Sequence, residues 1–497
     1  MKRQIVLNAL TTVGQTIANA AVLFFLYRFL IHTIGIDRLG IWSLVLATTS
    51  MVTLVNQGFG TSIVKFVAQY AARDRINDVS ALMQTALISA CVALAVVSVG
   101  LYPAARWALH IVLPATQFAE ANAILPLAFV SLWLNVLEGL LQAGFAGHEL
   151  ITVCNYLEVA GALSYLPLAF LLVPKHGLLG LAYAQALQAA IILVITWLLL
   201  RKRVSALPIF PYRWRRALFS EMASYGLHFQ FITLSQALRE PVTKMLIAKF
   251  GGLALTGLYE MAARAVFTLR EVIVQANQVL VPTISRLKER EPASIPAVYR
   301  ESYRLVFFLA FPAFALLTAL SPLVSRVWVG RYESAFVEFV AMLSAGWLVN
   351  VLSNSAYVVD LGTGALRWVS VGCVTTALLN PILGSLAGYF SGGIAVAGAC
   401  AFSLACGYCI IVVAYHLQNH APFIQLLPRE SVAIVVTSVA GALICLPFFR
   451  RLPVHSLFSA YATAAIAAAL ATMVLIPMWT HPMRKRVLQL VFSRMSA

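Results

Sequence analysis

The chain has 497 residues, of which 61% are hydrophobic and only 11% are charged, and its formal net charge is +17 at pH 7. Its mean hydropathy of +0.87 lies far outside the range of soluble proteins, in which about a quarter of all residues are charged. This composition excludes a soluble enzyme and predicts an all-α polytopic membrane protein, because a span needs about 20 apolar residues and such runs fill most of the sequence.

Apolar runs and their Gly, Pro and charged breaks predict about fourteen transmembrane helices. The first six lie at roughly 5–34, 39–70, 79–102, 121–146, 151–173 and 177–200. The next six lie at roughly 218–250, 253–287, 298–324, 335–361, 366–389 and 393–417, and two more lie at roughly 431–449 and 456–479. We therefore predict an N-terminal six-helix lobe at 1–200, a basic cytoplasmic linker at 201–217, a second six-helix lobe at 218–417, and an additional helix pair with a basic tail at 418–497.

The positive residues predict the orientation of these helices. Most Lys and Arg residues fall in loops on the same side as the N-terminus, among them Arg73, Arg75, the linker and Arg484. Since cytoplasmic loops carry the excess of positive charge, both termini are predicted to be cytoplasmic. The same distribution argues against a nucleic-acid partner, which would require a basic patch on a soluble surface.

Equally spaced glycines indicate an internal duplication. Gly35 and Gly251 end the first and seventh predicted helices, and Gly177 and Gly393 begin the sixth and twelfth at the same spacing along the chain. Because each repeat would contain an even number of helices, the two lobes would be parallel, with a substrate path between them.

Several cations fall inside the predicted helices. A charge near the middle of a bilayer costs roughly 2.5–3.5 kcal/mol, so helices that face lipid cannot carry several of them without compensation. These residues are Arg28, Lys65, Arg239, Lys244, Arg264, Arg270 and Arg304. All except Arg304 lie on the first two helices of one repeat or the other, which predicts a cationic chamber. Arg offers a planar fork to phosphate oxygens and Lys a mobile point charge, so the chamber suits an anionic, phosphate-bearing substrate.

A structural interpretation of the same cations stays open. Glu240 and Lys244, like Glu260 and Arg264, are spaced to form ion pairs on one helical face, and Arg28 and Lys65 could extend to the membrane surface. Arg270 is the strongest candidate for substrate binding, because the adjacent Glu271 is expected to point to a different face.

Two intramembrane acids are candidates for ion coupling. Glu138 and Asp360 have no obvious cationic partner nearby in the sequence. A carboxylate in a medium of low dielectric constant can bind a proton or a sodium ion and so couple a gradient to transport. No cofactor, metal site or catalytic residue is predicted, because the chain lacks a phosphate-binding glycine loop, an HExxH motif and a nucleophile elbow.

Two segments carry a resemblance to a known family. They are IGIDRLGIWSL, from Ile34 to Leu44, and NQGFGTSIVKFVAQY, from Asn56 to Tyr70. The first resembles the Gly-x4-Gly-x-Trp elbow of the polysaccharide-transport branch of the multidrug/oligosaccharidyl-lipid/polysaccharide (MOP) flippase superfamily. The second resembles that family's Asp-x-Gly-led segment ending in a basic residue, here Lys65, but it has Asn56 where Asp is common and so lacks one ionic group.

This resemblance implies a flippase of the bacterial cytoplasmic (inner) membrane that works by alternating access. The substrate would be a polyprenyl-diphosphate-linked oligosaccharide for O-antigen, capsule or exopolysaccharide assembly, held in a central cationic cavity while its tail stays in lipid. The implied partners are this lipid-linked oligosaccharide, membrane lipids, a polysaccharide polymerase and chain-length proteins. Two alternatives are a MATE-type drug or metabolite antiporter, which would favour an acidic or aromatic cavity, and a scaffold for polysaccharide enzymes that transports nothing.

Overall fold

A computed structural model describes residues 2–49, 54–71, 73–278, 280, 284, 287–288, 291–451, 467–469, 472–473 and 476–484. These residues are helical almost throughout and include no strand. Nine of their helical stretches are long and apolar enough to cross a membrane. The predicted all-α polytopic fold is confirmed.

The helices follow one another with short connections. They are α1 (Lys2–Ile34), α2 (Ile36–Thr49), α3 (Leu54–Ala71), α4 (Ile76–Val112), α5 (Ala115–Gly147), α6 (Ile151–Arg203), α7 (Arg216–Gln278), α8 (Ile295–Trp328), α9 (Ser334–Thr363), α10 (Arg367–Ser391), α11 (Gly393–Gln418) and α12 (Val432–Arg451). Most begin and end within a few residues of the predicted bounds. Residues 50–53, within the single helix predicted at 39–70, and most of the last predicted helix, at 456–479, lie outside the described residues.

Glycines with positive φ separate the helices at the predicted breaks. Gly35 has φ 83° and ends α1. Gly177, with φ 56° and ψ −130°, divides α6 into two arms, and Gly252, with φ 81° and ψ 179°, divides α7. Such backbone angles carry little cost for glycine because it has no Cβ. The chain can therefore turn between two adjoining helices without a loop.

The chain forms two compact units. Residues 7–257 make up the first unit, and residues 1–6 together with 258–497 make up the second. In the first unit, α3, α4, α5 and α6 surround an apolar core that includes Ile63, Met83 and Leu140. In the second unit, α10 and α11 approach closely, because a Cβ on Gly372 would lie 2.4 Å from the carbonyl oxygen of Gly407. The lobe boundaries at 200 and 218 stay a prediction.

Two glycines of the first unit allow an equally close approach. A Cβ added to Gly40 of α2 would lie 2.1 Å from the carbonyl oxygen of Leu253. A Cβ added to Gly257 would lie 2.6 Å from the carbonyl oxygen of Ile36. Gly40 belongs to the elbow motif, and Gly257 follows the break at Gly252. Both glycines therefore allow the contact between α2 and residues 253–257 of α7, which belong to the same unit.

The basic linker, residues 201–217, packs along α4. The side-chain oxygen of Gln84 accepts hydrogen bonds from the backbone N–H groups of Tyr212 and Arg213, both at 3.2 Å. The Trp214 indole donates to the Ser89 hydroxyl at 2.9 Å. These polar residues of the otherwise apolar α4 fix the conformation of the linker. The composition of the linker alone did not predict this attachment.

Candidate functional site

The six predicted substrate-binding residues are distributed over the two units. Arg28, Lys65, Arg239 and Lys244 lie in the first unit, and Arg264 and Arg270 lie in the second. The side chains of Arg28 and Lys65 are exposed, and that of Arg239 is half-buried. That all six contact one substrate stays a prediction.

Lys244 forms the predicted ion pair with Glu240. The ammonium nitrogen lies 2.5 Å from a Glu240 carboxylate oxygen, and the lysine side chain is only 2% exposed while that of Glu240 is 52% exposed. A buried ammonium needs a partner because its desolvation costs several kcal/mol. The geometry therefore favours a structural role for Lys244.

Removing the carboxylate tests that role. Glu240→Ala is expected to lower the free energy of unfolding by about 1–2 kcal/mol, less than for a fully buried pair because Glu240 is half exposed. Lys244→Met removes the buried charge and keeps most of the side-chain volume, so it should change the free energy of unfolding by less than Glu240→Ala does. Thermal unfolding of the detergent-purified variants checks both, and equal stability of Glu240→Ala and the wild type would contradict the assignment.

Arg264 and Glu260 form the second predicted pair. The Arg264 Nε donates to a Glu260 carboxylate oxygen at 2.7 Å. Here the burial is reversed, because the Glu260 side chain is 2% exposed and that of Arg264 is 40% exposed. The guanidinium therefore reaches a surface while its charge is balanced by a buried carboxylate.

Arg270 is held from several directions. Its Nε donates to the Asn350 side-chain oxygen at 2.8 Å, and its Nη1 donates to Glu271 at 2.5 Å. Its guanidinium carbon lies 4.9 Å from the Trp347 ring centroid and 5.3 Å from that of Phe267. Cation–π contacts of this kind fix a guanidinium plane as well as stabilising its charge. The side chain, 18% exposed, is thus oriented before any ligand arrives.

The prediction that Glu271 points away from Arg270 was wrong. Adjacent Cβ atoms on a helix do diverge, but the arginine side chain is long enough to bend back to the carboxylate. Asn350 and Trp347 of α9 were missed altogether. Their spacing of one helical turn, with a polar amide in an apolar helix, was the available signal.

Further buried polar groups continue from Arg270 along α7 and α9. The Ser302 hydroxyl donates to the Asn277 side-chain oxygen at 2.8 Å and is also hydrogen-bonded to the Ser355 hydroxyl at 2.8 Å. We call this set the polar stripe: Arg270, Asn277, Ser302, Asn350, Asn354 and Ser355. Arg270 and Asn277 are two helical turns apart on α7, and Asn350 and Asn354 are one turn apart on α9. Each pair therefore lies on one face of its helix.

Two amides of the polar stripe have side-chain donors without a protein partner in the described part of the chain. The side-chain nitrogens of Asn277 and Asn354 are buried and have no hydrogen-bond partner among the described residues. A buried donor without a partner costs roughly 1–3 kcal/mol, so such groups usually bind water or a ligand. With the Arg270 guanidinium, the stripe offers donors suited to oxygen-rich, anionic molecules.

The two candidate coupling acids have different surroundings. Glu138 of α5 accepts hydrogen bonds from the Gln142 amide at 2.6 Å and the Thr196 hydroxyl at 3.3 Å. Both partners are neutral, so they solvate the carboxylate without balancing its charge. Gln142 was overlooked in the sequence because only cationic partners were sought. Asp360 lies buried in the last turn of α9. Their coupling role stays a prediction.

Comparison with known proteins identifies a sequence family and solved structures with a similar architecture. A sequence profile described as "Polysaccharide biosynthesis protein" matches residues 33–337, more than half of the chain. No curated protein matches the sequence significantly. An inward-facing multidrug resistance MATE family transporter of the MOP superfamily superposes with a TM-score of 0.71 at 12% identity, over 83% of this chain and 98% of that one.

Two further solved structures share the fold. The lipid II flippase MurJ, in an inward closed conformation, gives a TM-score of 0.69 at 10% identity over 95% of this chain and 98% of that one. A MOP superfamily transporter from Pyrococcus furiosus, described as having a binding pocket of reverse polarity, gives 0.57 at 12% identity over 84% and 96%. The superpositions establish a shared fold, at sequence identities of 10–12%.

The profile match and the fold agree with one another. The structural neighbours are transporters and flippases rather than enzymes, and the chain is a multi-pass membrane protein. The chain belongs to the polysaccharide biosynthesis protein family, as the resemblance predicted, and it shares its fold with transporters of the MOP superfamily and with the flippase MurJ.

Proposed function

We propose that this protein is a flippase that moves a polyprenyl-diphosphate-linked oligosaccharide from the cytoplasmic to the outer leaflet of the bacterial inner membrane. Its product would serve the assembly of O-antigen, capsule or exopolysaccharide, with a polymerase and chain-length proteins as partners. The termini would lie in the cytoplasm. The observation that carries the proposal is the polar stripe around Arg270, in a chain of the polysaccharide biosynthesis family.

The chemistry of the polar stripe fits the head of such a lipid. A guanidinium can donate two parallel hydrogen bonds to phosphate oxygens, and Asn350 with the two aromatic rings sets its orientation. The buried amides of Asn277 and Asn354 add neutral donors that suit phosphate or sugar oxygens. The polyprenyl tail would remain in the lipid phase, so the protein needs to enclose only the polar head.

Arg28, Lys65, Arg239 and Arg264 remain the other predicted substrate contacts. Arg264 has the more favourable geometry of the two pairs described above, because its guanidinium is 40% exposed and the Glu260 carboxylate is buried beneath it. Lys244 is the weaker candidate, since its side chain is buried against Glu240.

The test follows which leaflet holds the lipid-linked glycan. In a strain without this gene and without any other flippase, the glycan should accumulate in the cytoplasmic leaflet, and the wild-type gene should restore outward delivery. Delivery at the normal rate in the deletion strain would overturn the proposal. A MATE-type antiporter would instead restore efflux of cationic dyes, and a scaffold would restore polymer assembly even with the Arg270→Ala variant.

We further propose that a proton or sodium gradient drives the transport through Glu138 or Asp360. Glu138→Gln and Asp360→Asn keep the side-chain size and remove the titratable charge. The variant of the coupling residue should transport at a rate that no longer responds when the gradient is collapsed, whereas the wild type should slow several-fold. Reconstituted vesicles with imposed proton or sodium gradients provide the measurement. A wild-type rate indifferent to both gradients would exclude the two acids as coupling groups.

A further inference from the structure

Three arginines surround a cavity at one end of the second unit. The cavity has a volume of about 230 Å³ and is lined by Arg300, Arg304 and Arg429 together with Ile424, Gln425, Pro428 and Glu430. Arg300 and Arg304 stand in the first turns of α8, and the other residues belong to the connection between α11 and α12. The proposed transport function does not use this cavity.

The arginines differ in how they are held. The Nε of Arg304 lies 3.2 Å from a Glu430 carboxylate oxygen, and its Nη1 lies 3.8 Å from Glu301. Arg300 and Arg429 are exposed and form no salt bridge with any residue in the described part of the chain. The carboxylates therefore fix one guanidinium as a wall of the cavity, while the other two can turn toward a ligand.

Exposed apolar side chains precede Arg429 in the α11–α12 connection, and one of them, Ile424, lines the cavity. Phe423, Ile424 and Leu427 are 47%, 64% and 48% exposed, and the first two begin the short 3-10 turn Phe423–Leu426. Large apolar side chains beside guanidinium groups are typical of the membrane interface. There the apolar side chains contact lipid chains, and the guanidinium groups contact lipid headgroups.

The chain topology places the cavity at a membrane edge. The helices α8, α9, α10 and α11 each contain a stretch suited to one crossing. An even number of crossings brings the α11–α12 connection back to the side on which α8 begins. On the predicted topology this is the cytoplasmic side, where anionic lipids attract basic residues.

We propose that this cavity binds the phosphate headgroup of an anionic phospholipid. Arg300 and Arg429 would contact the phosphate oxygens, Arg304 would form the wall behind them, and Phe423, Ile424 and Leu427 would contact the acyl chains. Basic pockets between membrane helices are suited to such headgroups because guanidinium forks match phosphate geometry. A lipid held there links the start of α8 to the α11–α12 connection.

The experiment uses the full-length chain, purified in detergent and stripped of lipid. Native mass spectrometry would compare binding of short-chain phosphatidylglycerol, short-chain phosphatidylcholine and inorganic phosphate. The anionic lipid should bind about tenfold more tightly than the zwitterionic one, and the preference should weaken as salt rises. Equal affinity for the two lipids would overturn the proposal without recourse to any variant. Inorganic phosphate that competes as well as phosphatidylglycerol would show a free-anion site instead.

Variants then locate the site. Arg300→Gln with Arg429→Gln should reduce phosphatidylglycerol binding to the level of phosphatidylcholine. The matched control is Arg367→Gln, because Arg367 is an exposed arginine at the start of α10, two predicted crossings from the start of α8 and so on the same side, and does not line the cavity. Unchanged lipid preference in the double variant, or an equal loss in the control, would contradict the assignment to this cavity.

Discussion

Arg270→Ala is expected to slow outward translocation of the lipid-linked oligosaccharide about tenfold or more, while the protein still inserts and folds. Hydrogen bonds to charged groups contribute roughly 1.5–3 kcal/mol each, so the loss of one guanidinium contact to a diphosphate is sufficient for that effect. The variant should still fold because both side chains of the pair are partly exposed, at 18% for Arg270 and 28% for Glu271. The Glu271 carboxylate is therefore not left fully buried when the arginine is removed. Transport of a labelled substrate in reconstituted vesicles provides the measurement.

Two companion variants separate charge from orientation. Arg270→Lys keeps the charge but loses both the planar fork and the Nε bond to Asn350, so it should show an intermediate rate. Asn350→Ala leaves the guanidinium intact and frees its orientation, so it should raise the substrate concentration needed for half-maximal transport. Arg367→Ala, on the exposed start of α10, is the matched control and should transport normally. Normal transport by Arg270→Ala would remove the polar stripe from the substrate path.

The features that follow from local rules could be predicted from the sequence. The breaks at Gly35 and Gly177 could be predicted because glycine interrupts long apolar runs there, and the break predicted at Gly251 lies one residue later, at Gly252. The Lys244–Glu240 and Arg264–Glu260 pairs were visible because residues four apart share a helical face. In both cases the physical cause acts within one helix or one turn.

Features that depend on contacts between helices could not be predicted. Asn350 and Asn354 are ordinary polar residues in the sequence. They become candidate site residues only because α9 lies against α7, where Asn350 accepts a hydrogen bond from Arg270. The attachment of the linker to Gln84 is of the same kind. Arg270 itself was found because a charge inside a membrane helix is costly wherever it lies. Its neighbours were not found because no such penalty marks a neutral amide.

Gly40→Ala is expected to destabilise the protein by about 3 kcal/mol, the upper end of the range for inserting a group into a packed interior. The added Cβ would lie 2.1 Å from the Leu253 carbonyl oxygen and 2.8 Å from its carbon. Both are backbone atoms, so no side chain can rotate away, and α2 must separate from the backbone at Leu253. Gly257→Ala should have a similar effect, because its Cβ would lie 2.6 Å from the Ile36 carbonyl oxygen.

Gly100→Ala provides a control that is expected to stabilise the protein instead of destabilising it. Gly100 also lies inside a helix, α4, but a Cβ there meets nothing within 4 Å. Alanine reduces the entropy of the unfolded chain and favours helix, so this change should stabilise by roughly 0.5–1 kcal/mol. Thermal unfolding in detergent compares the three variants. If Gly40→Ala raised the unfolding temperature as Gly100→Ala is expected to, helix propensity alone would explain both changes, and the close approach of α2 to residues 253–257 of α7 would not be a determinant of stability.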